Sequence, residues 1–220
     1  MPRSLTYWQK QQKQRKKEMG CTLSAPLVPI SSVDMKRYAG VWYQIAALPT
    51  WFQHSGEYNT KATYTYKTLD TGQPVLKVEN TYIVTGMNGL PAQGSITGVA
   101  RPDSQCAPTI ASKNGDVAGC FLVSFTPSAS EPIVSPVPGH YWIIELADDY
   151  RYAVVSEPMR KTLWILSRTP TLADGDKTYI LDRLRSAHCF SSEALTQLVW
   201  TPQDWDTVGR AKEMALSVSL

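Results

Sequence analysis

The histidines and cysteines, which are the side chains that most often do chemistry, are too widely spaced in this chain to predict a catalytic or metal site. The histidines are His54, His140 and His188. No spacing of histidines and cysteines matches that of a zinc site. We therefore predict no catalytic residue, no metal ion and no cofactor.

Trp42 and Arg168, far apart in the sequence, are predicted to make a specific interaction. Trp42 closely follows Gly40 in segment 40–46, and Arg168 ends the apolar segment 163–168. Both segments have the alternating β-branched and aromatic character of strands. A guanidinium over an indole face, away from water, contributes about 1–2 kcal/mol. The pair could therefore clamp the first and last strands of a barrel at one end and leave the other end open to a ligand.

A lipidation pattern occurs near the amino terminus. Residues 19–24, Met-Gly-Cys-Thr-Leu-Ser, match the N-myristoylation pattern, with a palmitoylatable Cys21 beside Gly20. Myristoylation requires that glycine at the true amino terminus, so we hypothesise that translation can begin at Met19. The product would be a dually acylated protein on the cytosolic face of a membrane, since two acyl chains anchor stably where one is marginal. The alternative is a coincidental match.

The four cysteines are too few to predict a disulfide framework. Cys106 and Cys120 flank a loop and could bridge it. We expect that disulfide only if the protein meets an oxidising compartment.

The 220 residues and their charge predict one domain with tails. We expect a basic, flexible arm over residues 1–32, a folded domain over 33–201 and a tail over 202–220. Residues 1–18 contribute +5 to the net charge of +3, so residues 19–220 carry −2. This excludes a basic face for nucleic acid on the folded part, although the arm could contact anionic lipid. No run approaches the ~18 apolar residues of a spanning helix, and no apolar stretch of a signal peptide precedes Cys21.

The body of the chain has the pattern of eight short strands with hairpin spacing. This number and spacing fit an antiparallel up-and-down β-barrel, which can enclose one small ligand. The predicted strands are 41–47, 58–68, 75–84, 94–101, 120–125, 141–146, 152–156 and 163–168. Residues 172–187 have the spacing of an amphipathic helix that would pack outside the barrel, with Thr171 as its N-cap. Residues 198–200 are predicted to form a short strand beside the barrel.

Three motifs identify a family resemblance. Gly40-Val41-Trp42, preceded by Tyr38, resembles the first motif of the lipocalins, Asp149-Tyr150 the second, and Ser167-Arg168 the third. The run 163–171 is similar to the bacterial outer-membrane lipoprotein lipocalins, a subgroup that includes apolipoprotein D and plant temperature-induced lipocalins. The resemblance covers roughly residues 33–201. It implies that Trp42 and Arg168 pack together at the closed end of the barrel, as structural residues and not as ligand contacts.

Alternation along the strands predicts which side chains face the barrel interior, because every second residue of a barrel strand points inward. The predicted set is apolar and aromatic, and it suits a hydrophobic ligand with a modest polar head. It also contains Glu145 on the sixth strand. The predicted ligand-binding residues are Gln44, Ala46, Tyr64, Tyr66, Leu76, Val78, Tyr82, Ile96, Val123, Phe125, Tyr141, Ile143, Val155, Trp164 and Leu166.

We therefore expect a lipocalin that carries a fatty acid, a lysophospholipid or a similar lipid near a membrane, in lipid transport, storage or protection against membrane stress. Trp51 and Phe52, in the loop after the first strand, could form a lid, dip into a membrane surface or simply pack as ordinary loop residues. Two alternatives stay open: a lipid-modifying, isomerase-like enzyme on the same barrel, and an interaction module whose barrel is filled by side chains. The sequence does not predict the oligomeric state.

Overall fold

The computed structural model describes residues 26–51, 53, 56–86, 89–105, 116–126 and 139–205. Nine strands and three helices lie in this part of the chain. The strands are β1 (Gly40–Ala47), β2 (Tyr58–Thr68), β3 (Pro74–Thr85), β4 (Pro91–Pro102), β5 (Cys120–Thr126), β6 (Gly139–Leu146), β7 (Tyr152–Ser156), β8 (Leu163–Ser167) and β9 (Val199–Trp200). The helices are α1 (Met35–Tyr38), α2 (Asp174–Ser186) and α3 (Ser192–Thr196).

The first eight strands form a closed antiparallel barrel. Each strand from β2 to β8 pairs with the next, and β1 closes the sheet by pairing with both β8 and β2. Helix α2 lies outside the barrel, and β9 pairs with β1 near Ala46 and Ala47. The predicted fold class, an eight-stranded up-and-down barrel with an external helix, is confirmed.

The barrel has two distinct ends. At the closed end β1 begins, and α1 precedes it directly. At the open end β1 terminates, and the β1–β2, β3–β4 and β7–β8 connections lie there because consecutive strands are antiparallel. A ligand that enters the barrel would therefore enter at the open end.

Two separate apolar clusters stabilise the fold. The inner cluster fills the barrel from the closed end and contains Trp42, Phe121 and Ile143, each at most 1% exposed. The outer cluster joins the barrel wall to α2 through residues such as Ile165 and Leu184. Burying this apolar area on both sides of the sheet supplies the main favourable term of folding.

Helix α2 begins two residues later than predicted. Its N-cap is Ala173, which makes no side-chain capping hydrogen bond. The predicted cap, Thr171, lies in the preceding turn, where its carbonyl oxygen accepts hydrogen bonds from the hydroxyls of Ser167 and Thr169. Asp174 and Asp176 in the first turn compensate, because negative charge is favourable at a helix N-terminus.

The packed structure extends beyond the predicted domain bounds on both sides. Leu27 is 4% exposed, and the backbone amide of Ile30 donates to the carbonyl oxygen of Ile143. Near the carboxyl end, the Gln203 carboxamide donates to the carbonyl oxygens of Gln44 and Thr60, at 2.8 and 3.1 Å. It thereby bridges β1 and β2 at the open end, and it stabilises the seam of the barrel.

Candidate functional site

The closed end is built around the guanidinium of Arg168, which lies 3.8 Å from the centroid of the Trp42 ring. Its nitrogens donate to four main-chain carbonyl oxygens at 2.6–3.3 Å, those of Arg37, Tyr38, Val41 and Tyr150. Partial burial lowers the pKa of Arg168, but an arginine stays charged at physiological pH. The cation therefore locks α1, β1 and the β6–β7 turn to the end of β8.

Gly40 lies directly beneath this cation. Its φ of +104° is one that residues with a Cβ rarely adopt, and a Cβ placed there would lie 3.0 Å from Arg168 Nη1. The Gly-x-Trp spacing thus places a residue without a side chain where the guanidinium must pass on its way to the indole. The need for a residue without a Cβ at this position is sufficient to explain the Gly-x-Trp motif, and the motif needs no role in ligand binding.

The second motif also lies at the closed end. Tyr150 has a φ of +63°, and its hydroxyl accepts a hydrogen bond of 2.9 Å from the amide of Asp34, the N-cap of α1. The guanidinium carbon of Arg37 lies 4.1 Å from the centroid of the same ring. Asp149 accepts hydrogen bonds from the backbone and side chain of Arg151. The motif therefore attaches the short helix to the β6–β7 turn.

Three tyrosine hydroxyls meet inside the barrel above this layer. Tyr141 Oη lies 2.8 Å from Tyr38 Oη and accepts from Tyr64 Oη at 2.9 Å. Burial raises the pKa of all three groups, that of Tyr64 to about 12. The hydroxyls therefore stay neutral and pair with one another, which makes a polar floor for the space above.

Most of the predicted ligand-binding side chains do belong to the inner cluster. Those packed in it or against it are Tyr64, Tyr66, Leu76, Val78, Val123, Tyr141, Ile143, Val155, Trp164 and Leu166. Tyr66 lies towards the closed end, where the ammonium of Lys36 in α1 is 5.5 Å from its ring centroid. Ligand binding by this set stays a prediction.

Ile96 and Phe125 are 40% and 37% exposed. Alternation from Ala100 and Val123, which belong to the inner cluster, puts both on the inner face towards the open end. The Phe125 ring covers Gly98, where a Cβ would lie 2.8 Å from Phe125 Cδ1. Tyr82 covers Gly94 in the same way, with 2.3 Å between such a Cβ and the ring. The two glycines of β4 thus let aromatic rings lie flat against the wall of the barrel near its mouth.

Two predictions of inward-facing residues are wrong, and in both strands the cause is a bulge. The register of β1 shifts between Gln44 and Ala46, so Ala46 pairs with Ile165 and packs in the outer cluster. The register of β6 shifts between Ile143 and Glu145 in the same manner. A bulge adds one residue to a strand and reverses the facing of those that follow.

Glu145 consequently faces α2 and makes the polar link between helix and barrel. Its Oε1 accepts hydrogen bonds from Arg183 Nε at 2.7 Å and lies 2.6 Å from His188 Nε2. Partial burial alone would raise the pKa of Glu145, but the hydrogen bonds from His188 and Arg183 outweigh that effect, and the pKa is lowered. This cluster stabilises the fold at a distance from the barrel mouth.

A cluster of uncharged hydrogen-bonding groups lies at the open end. The Gln44 side chain, 9% exposed, donates through Nε2 to Thr201 Oγ1 at 2.9 Å. Its Oε1 accepts from Gln53 Nε2 at 3.0 Å, and Gln53 Oε1 accepts from Trp164 Nε1 at 3.2 Å. Gln44 and Trp164 were predicted from the sequence, but Gln53 and Thr201 were not. Gln53 lies in the loop of Trp51, for which a lid, a membrane contact and ordinary packing all stayed open, and no pattern in that loop distinguishes Gln53 from its neighbours.

The remaining predicted sites are only partly described. Gly20, Cys21, Phe52, His54 and Cys106 lie outside the described residues. Cys120 and Cys189 are both disulfide-bonded, and the pairing of Cys120 with Cys106 stays a prediction. In the described part of the chain, no three His, Cys, Asp or Glu side chains are grouped to hold a metal ion. The helices described are also too short or too polar to cross a membrane.

Comparison with known proteins agrees with this architecture. Residues 33–203 match the family described as a lipocalin-like domain. The chain is 33% identical to temperature-induced lipocalin-1 of Arabidopsis thaliana, over 70% of this chain and 73% of that protein. It is 35% identical to the outer membrane lipoprotein Blc of Escherichia coli K12, over 69% of this chain and 71% of that protein.

Among solved structures, insecticyanin from the tobacco hornworm Manduca sexta has a TM-score of 0.57 at 18% identity, over 82% of this chain and 86% of that chain. At that identity the likeness shows the fold alone. The family match and the two curated relatives go further, and they agree with the subgroup that the motifs predict. The chain therefore belongs to the lipocalin family.

Proposed function

We propose that this protein binds and carries a small hydrophobic ligand, such as a fatty acid, a lysophospholipid or a similar lipid, inside its barrel. Lipocalin barrels of eight strands are wide enough to hold one small ligand. The observation that carries the proposal is the exposure of Ile96 and Phe125, at 40% and 37%, on the inner face near the mouth. Exposed apolar surface in a concave site favours an apolar ligand, because covering it removes that surface from water.

The ligand would lie in the upper part of the barrel. Towards the closed end the inner face is already filled, since Trp42, Leu76 and Phe121 are at most 1% exposed. The hydroxyl of Tyr141 and its two partners form the floor. An acyl chain above this floor would gain about 0.8 kcal/mol for each CH₂ that it buries.

Three exposed apolar side chains at the open end support a role near a membrane. Trp51, Leu90 and Met159 are 95%, 62% and 70% exposed, and they lie on the β1–β2, β3–β4 and β7–β8 connections. Apolar residues at the tips of loops around a mouth can enter the headgroup region of a bilayer. The names of several relatives describe outer membrane lipoproteins, which is consistent with lipid transport, storage or protection against membrane stress.

The side of the membrane is a separate question. A start at Met19 with acylation of Gly20 and Cys21 would place the protein on the cytosolic face. The disulfide-bonded state of Cys120 and Cys189 favours an oxidising compartment instead, because the cytosol keeps thiols reduced. Mass spectrometry of the native amino-terminal peptide decides between them: acylated Gly20 supports the cytosolic hypothesis, and a principal peptide that spans Lys17–Thr22 contradicts it.

We propose a carrier and not an enzyme, because the described side chains that hydrogen bond at the mouth contribute carboxamide, hydroxyl and indole groups. The buried tyrosine hydroxyls keep a raised pKa, which disfavours their use as bases at neutral pH. Chemical change of a lipid during incubation with the purified protein would contradict this part of the proposal.

The central test is native mass spectrometry of the purified protein, with identification of lipids after extraction. A stoichiometric fatty acid or lysophospholipid supports the carrier. A mass of the protein without ligand that does not change when acyl lipids are added indicates a filled barrel and an interaction module instead.

A matched pair of variants tests the location. Ile96→Trp should fill the space at the mouth and reduce ligand occupancy at least tenfold. Ser95→Trp changes the neighbouring residue, which is exposed on the outer face, and should leave occupancy unchanged. An equal effect of the two variants would contradict binding inside the barrel.

A further inference from the structure

The side chain of Gln53 reaches from the β1–β2 loop into the polar cluster at the mouth. Nearby Trp51 in the same loop is 95% exposed, whereas Gln53 is only partly exposed and hydrogen bonds to two residues of the barrel wall. Those residues are Gln44 on β1 and Trp164 on β8. A loop carboxamide thus occupies hydrogen-bonding positions that belong to the inner face of the barrel.

The direction of every hydrogen bond in this cluster follows from one unambiguous donor. The indole nitrogen of Trp164 can only donate, so the Gln53 atom facing it is the oxygen. Gln53 therefore presents its nitrogen to Gln44, and Gln44 must face it with its oxygen. The nitrogen of Gln44 is left to donate to the hydroxyl of Thr201. A group that replaces Gln53 meets the same Gln44 oxygen as long as the Gln44 nitrogen keeps its hydrogen bond to Thr201.

With Gln53 displaced and the Gln44 nitrogen still bonded to Thr201, the wall would present one donor and one acceptor. The donor is Trp164 Nε1 and the acceptor is Gln44 Oε1. A group that satisfies both must itself accept and donate, as a hydroxyl or a primary amide does. A carboxylate or the carbonyl of an ester can accept from Trp164, but neither has a hydrogen for Gln44.

Charge is disfavoured at this position for a second reason. Among the described residues, the groups that hydrogen bond here are two carboxamides, the hydroxyls of Thr50 and Thr201 and an indole, and none of these carries a positive charge. Gln44 is 9% exposed, and an ion in such a place loses much of its hydration without gaining a counterion. An anion would also face the partial negative charge of Gln44 Oε1.

We propose that the Gln53 carboxamide stands in for the head group of the ligand, and that Gln44 and Trp164 select a lipid with an uncharged head that both donates and accepts a hydrogen bond. The inference rests on the proposed function and narrows it, because an ionised fatty acid should still bind in the barrel but more weakly than a lipid with a hydroxyl or amide head. The chain of the ligand lies along the apolar wall of Ile96 and Phe125. Its hydroxyl or amide displaces the Gln53 carboxamide from this position.

The test compares four probes that share one chain: lauryl alcohol, lauramide, methyl laurate and laurate, the last at a pH where it is fully ionised. Binding is measured by calorimetry on the full chain after removal of bound lipid. Lauryl alcohol and lauramide should bind roughly tenfold more tightly than methyl laurate and laurate, since a buried acceptor left without its donor costs about that much. Methyl laurate separates the missing donor from the charge.

Variants assign the preference to the cluster. Gln44→Leu and Trp164→Phe should each remove most of the preference for lauryl alcohol over methyl laurate. Gln53→Ala should strengthen binding of lauryl alcohol several-fold, because the competing carboxamide is gone. Gln73→Ala, at an exposed glutamine between β2 and β3 at the closed end, is the matched control and should change nothing.

The outcomes separate the inference from the function on which it rests. If all four probes bind equally well, or Gln53→Ala leaves the affinities unchanged, the head-group assignment is wrong while the carrier function stands. If the preference exists but only Tyr141→Phe removes it, the head lies at the tyrosine floor and the assignment to the mouth is wrong. If none of the probes binds, both the inference and the proposed function fail.

Discussion

The two ends of the barrel satisfy their interior polar groups with different kinds of partner. At the closed end the Arg168 guanidinium donates to four main-chain carbonyl oxygens from α1, β1 and the β6–β7 turn. At the open end the carboxamides of Gln44 and Gln53 bond to side chains, and Gln53 itself lies on a loop. The hydrogen bonds are of similar length at both ends, but their partners differ in how far they can move.

This difference indicates how one barrel can be rigid at one end and open to exchange at the other. A main-chain carbonyl within a strand or helix moves only if that element moves, so the contacts of Arg168 break together with the fold. A side chain on a loop changes partner by changing its rotamer, which occurs quickly and at small cost. The closed end should therefore govern stability, and the open end should govern binding.

The largest effect is expected for Arg168→Ala. It removes the cation over Trp42 and leaves main-chain carbonyls without their donor, which should lower the free energy of unfolding by about 3 kcal/mol. Ligand preference should change little. Urea denaturation measures the first quantity, and calorimetry with lauryl alcohol and methyl laurate measures the second.

The matched variant is Arg168→Lys, which keeps the charge but loses the planar fork and should lie between the wild type and the alanine variant. An Arg168→Ala protein of unchanged stability that no longer binds any ligand would reverse the roles assigned to the two ends.

A smaller loss is expected for Gly40→Ala, by about 2 kcal/mol. The alanine must adopt a φ of +104°, and its Cβ would lie 3.0 Å from Arg168 Nη1. Thermal denaturation followed by circular dichroism is sufficient to measure it. Gly72→Ala is the control, since Gly72 has a φ of +80° and open space around it. Equal losses at the two positions would mean that the contact with Arg168 contributes nothing.

Glu145→Gln should cost about 1 kcal/mol at neutral pH, because hydrogen bonds from Arg183 and His188 to a charged acceptor become weaker. The lowered pKa of Glu145 stabilises the fold above the ordinary carboxyl pKa of 4.5, and that contribution is lost as the pH falls through the lower value of the folded state. Urea denaturation at several pH values should show the wild type and the variant converging in acid. A difference in the free energy of unfolding between wild type and variant that stays constant from neutral pH down to about pH 3 would contradict this account.

The smallest effect is expected for Arg151→Ala, with a loss of stability below that of Glu145→Gln. Arg151 pairs with Asp149 at the closed end and, through two hydrogen bonds, with Asp176 on α2. Its own side chain is 53% exposed, and ion pairs of an exposed side chain contribute little. A loss as large as that of Arg168→Ala would show that charge at this end matters more than burial, and differential scanning calorimetry would detect it.

Features that depend on residues close together in the sequence, or on motif residues, were predicted correctly, and other features that depend on contacts between distant segments were not. The strands and the pairing of Trp42 with Arg168 depend on local pattern and on motif residues, and both could be predicted. The facing of Ala46 and Glu145 could not, because a bulge is a property of two paired strands. A single strand carries no signal for the residue at which its partner will shift register.

The candidate site shows the same limit more clearly. Gln44 and Trp164 lie on regular strands, so their facing could be predicted from alternation. Gln53 lies on a loop without periodicity, and Thr201 follows the short strand β9 beyond the external helix. Gln53 is 9 residues from Gln44 in the sequence, and Thr201 is 157 residues from it. No local pattern encodes hydrogen bonds across such separations.

By itself the sequence determined the barrel, its external helix and its closed end, because alternation, turn residues and the lipocalin motifs each act over a few neighbouring residues. Only the tertiary structure decided which face Ala46 and Glu145 present, and that Gln53 from a loop would meet Gln44 and Trp164 at the mouth. Those outcomes depend on register between strands and on closure of the barrel. Both are settled when distant segments pack together, and that packing is also what gives the open end its uncharged donor and acceptor.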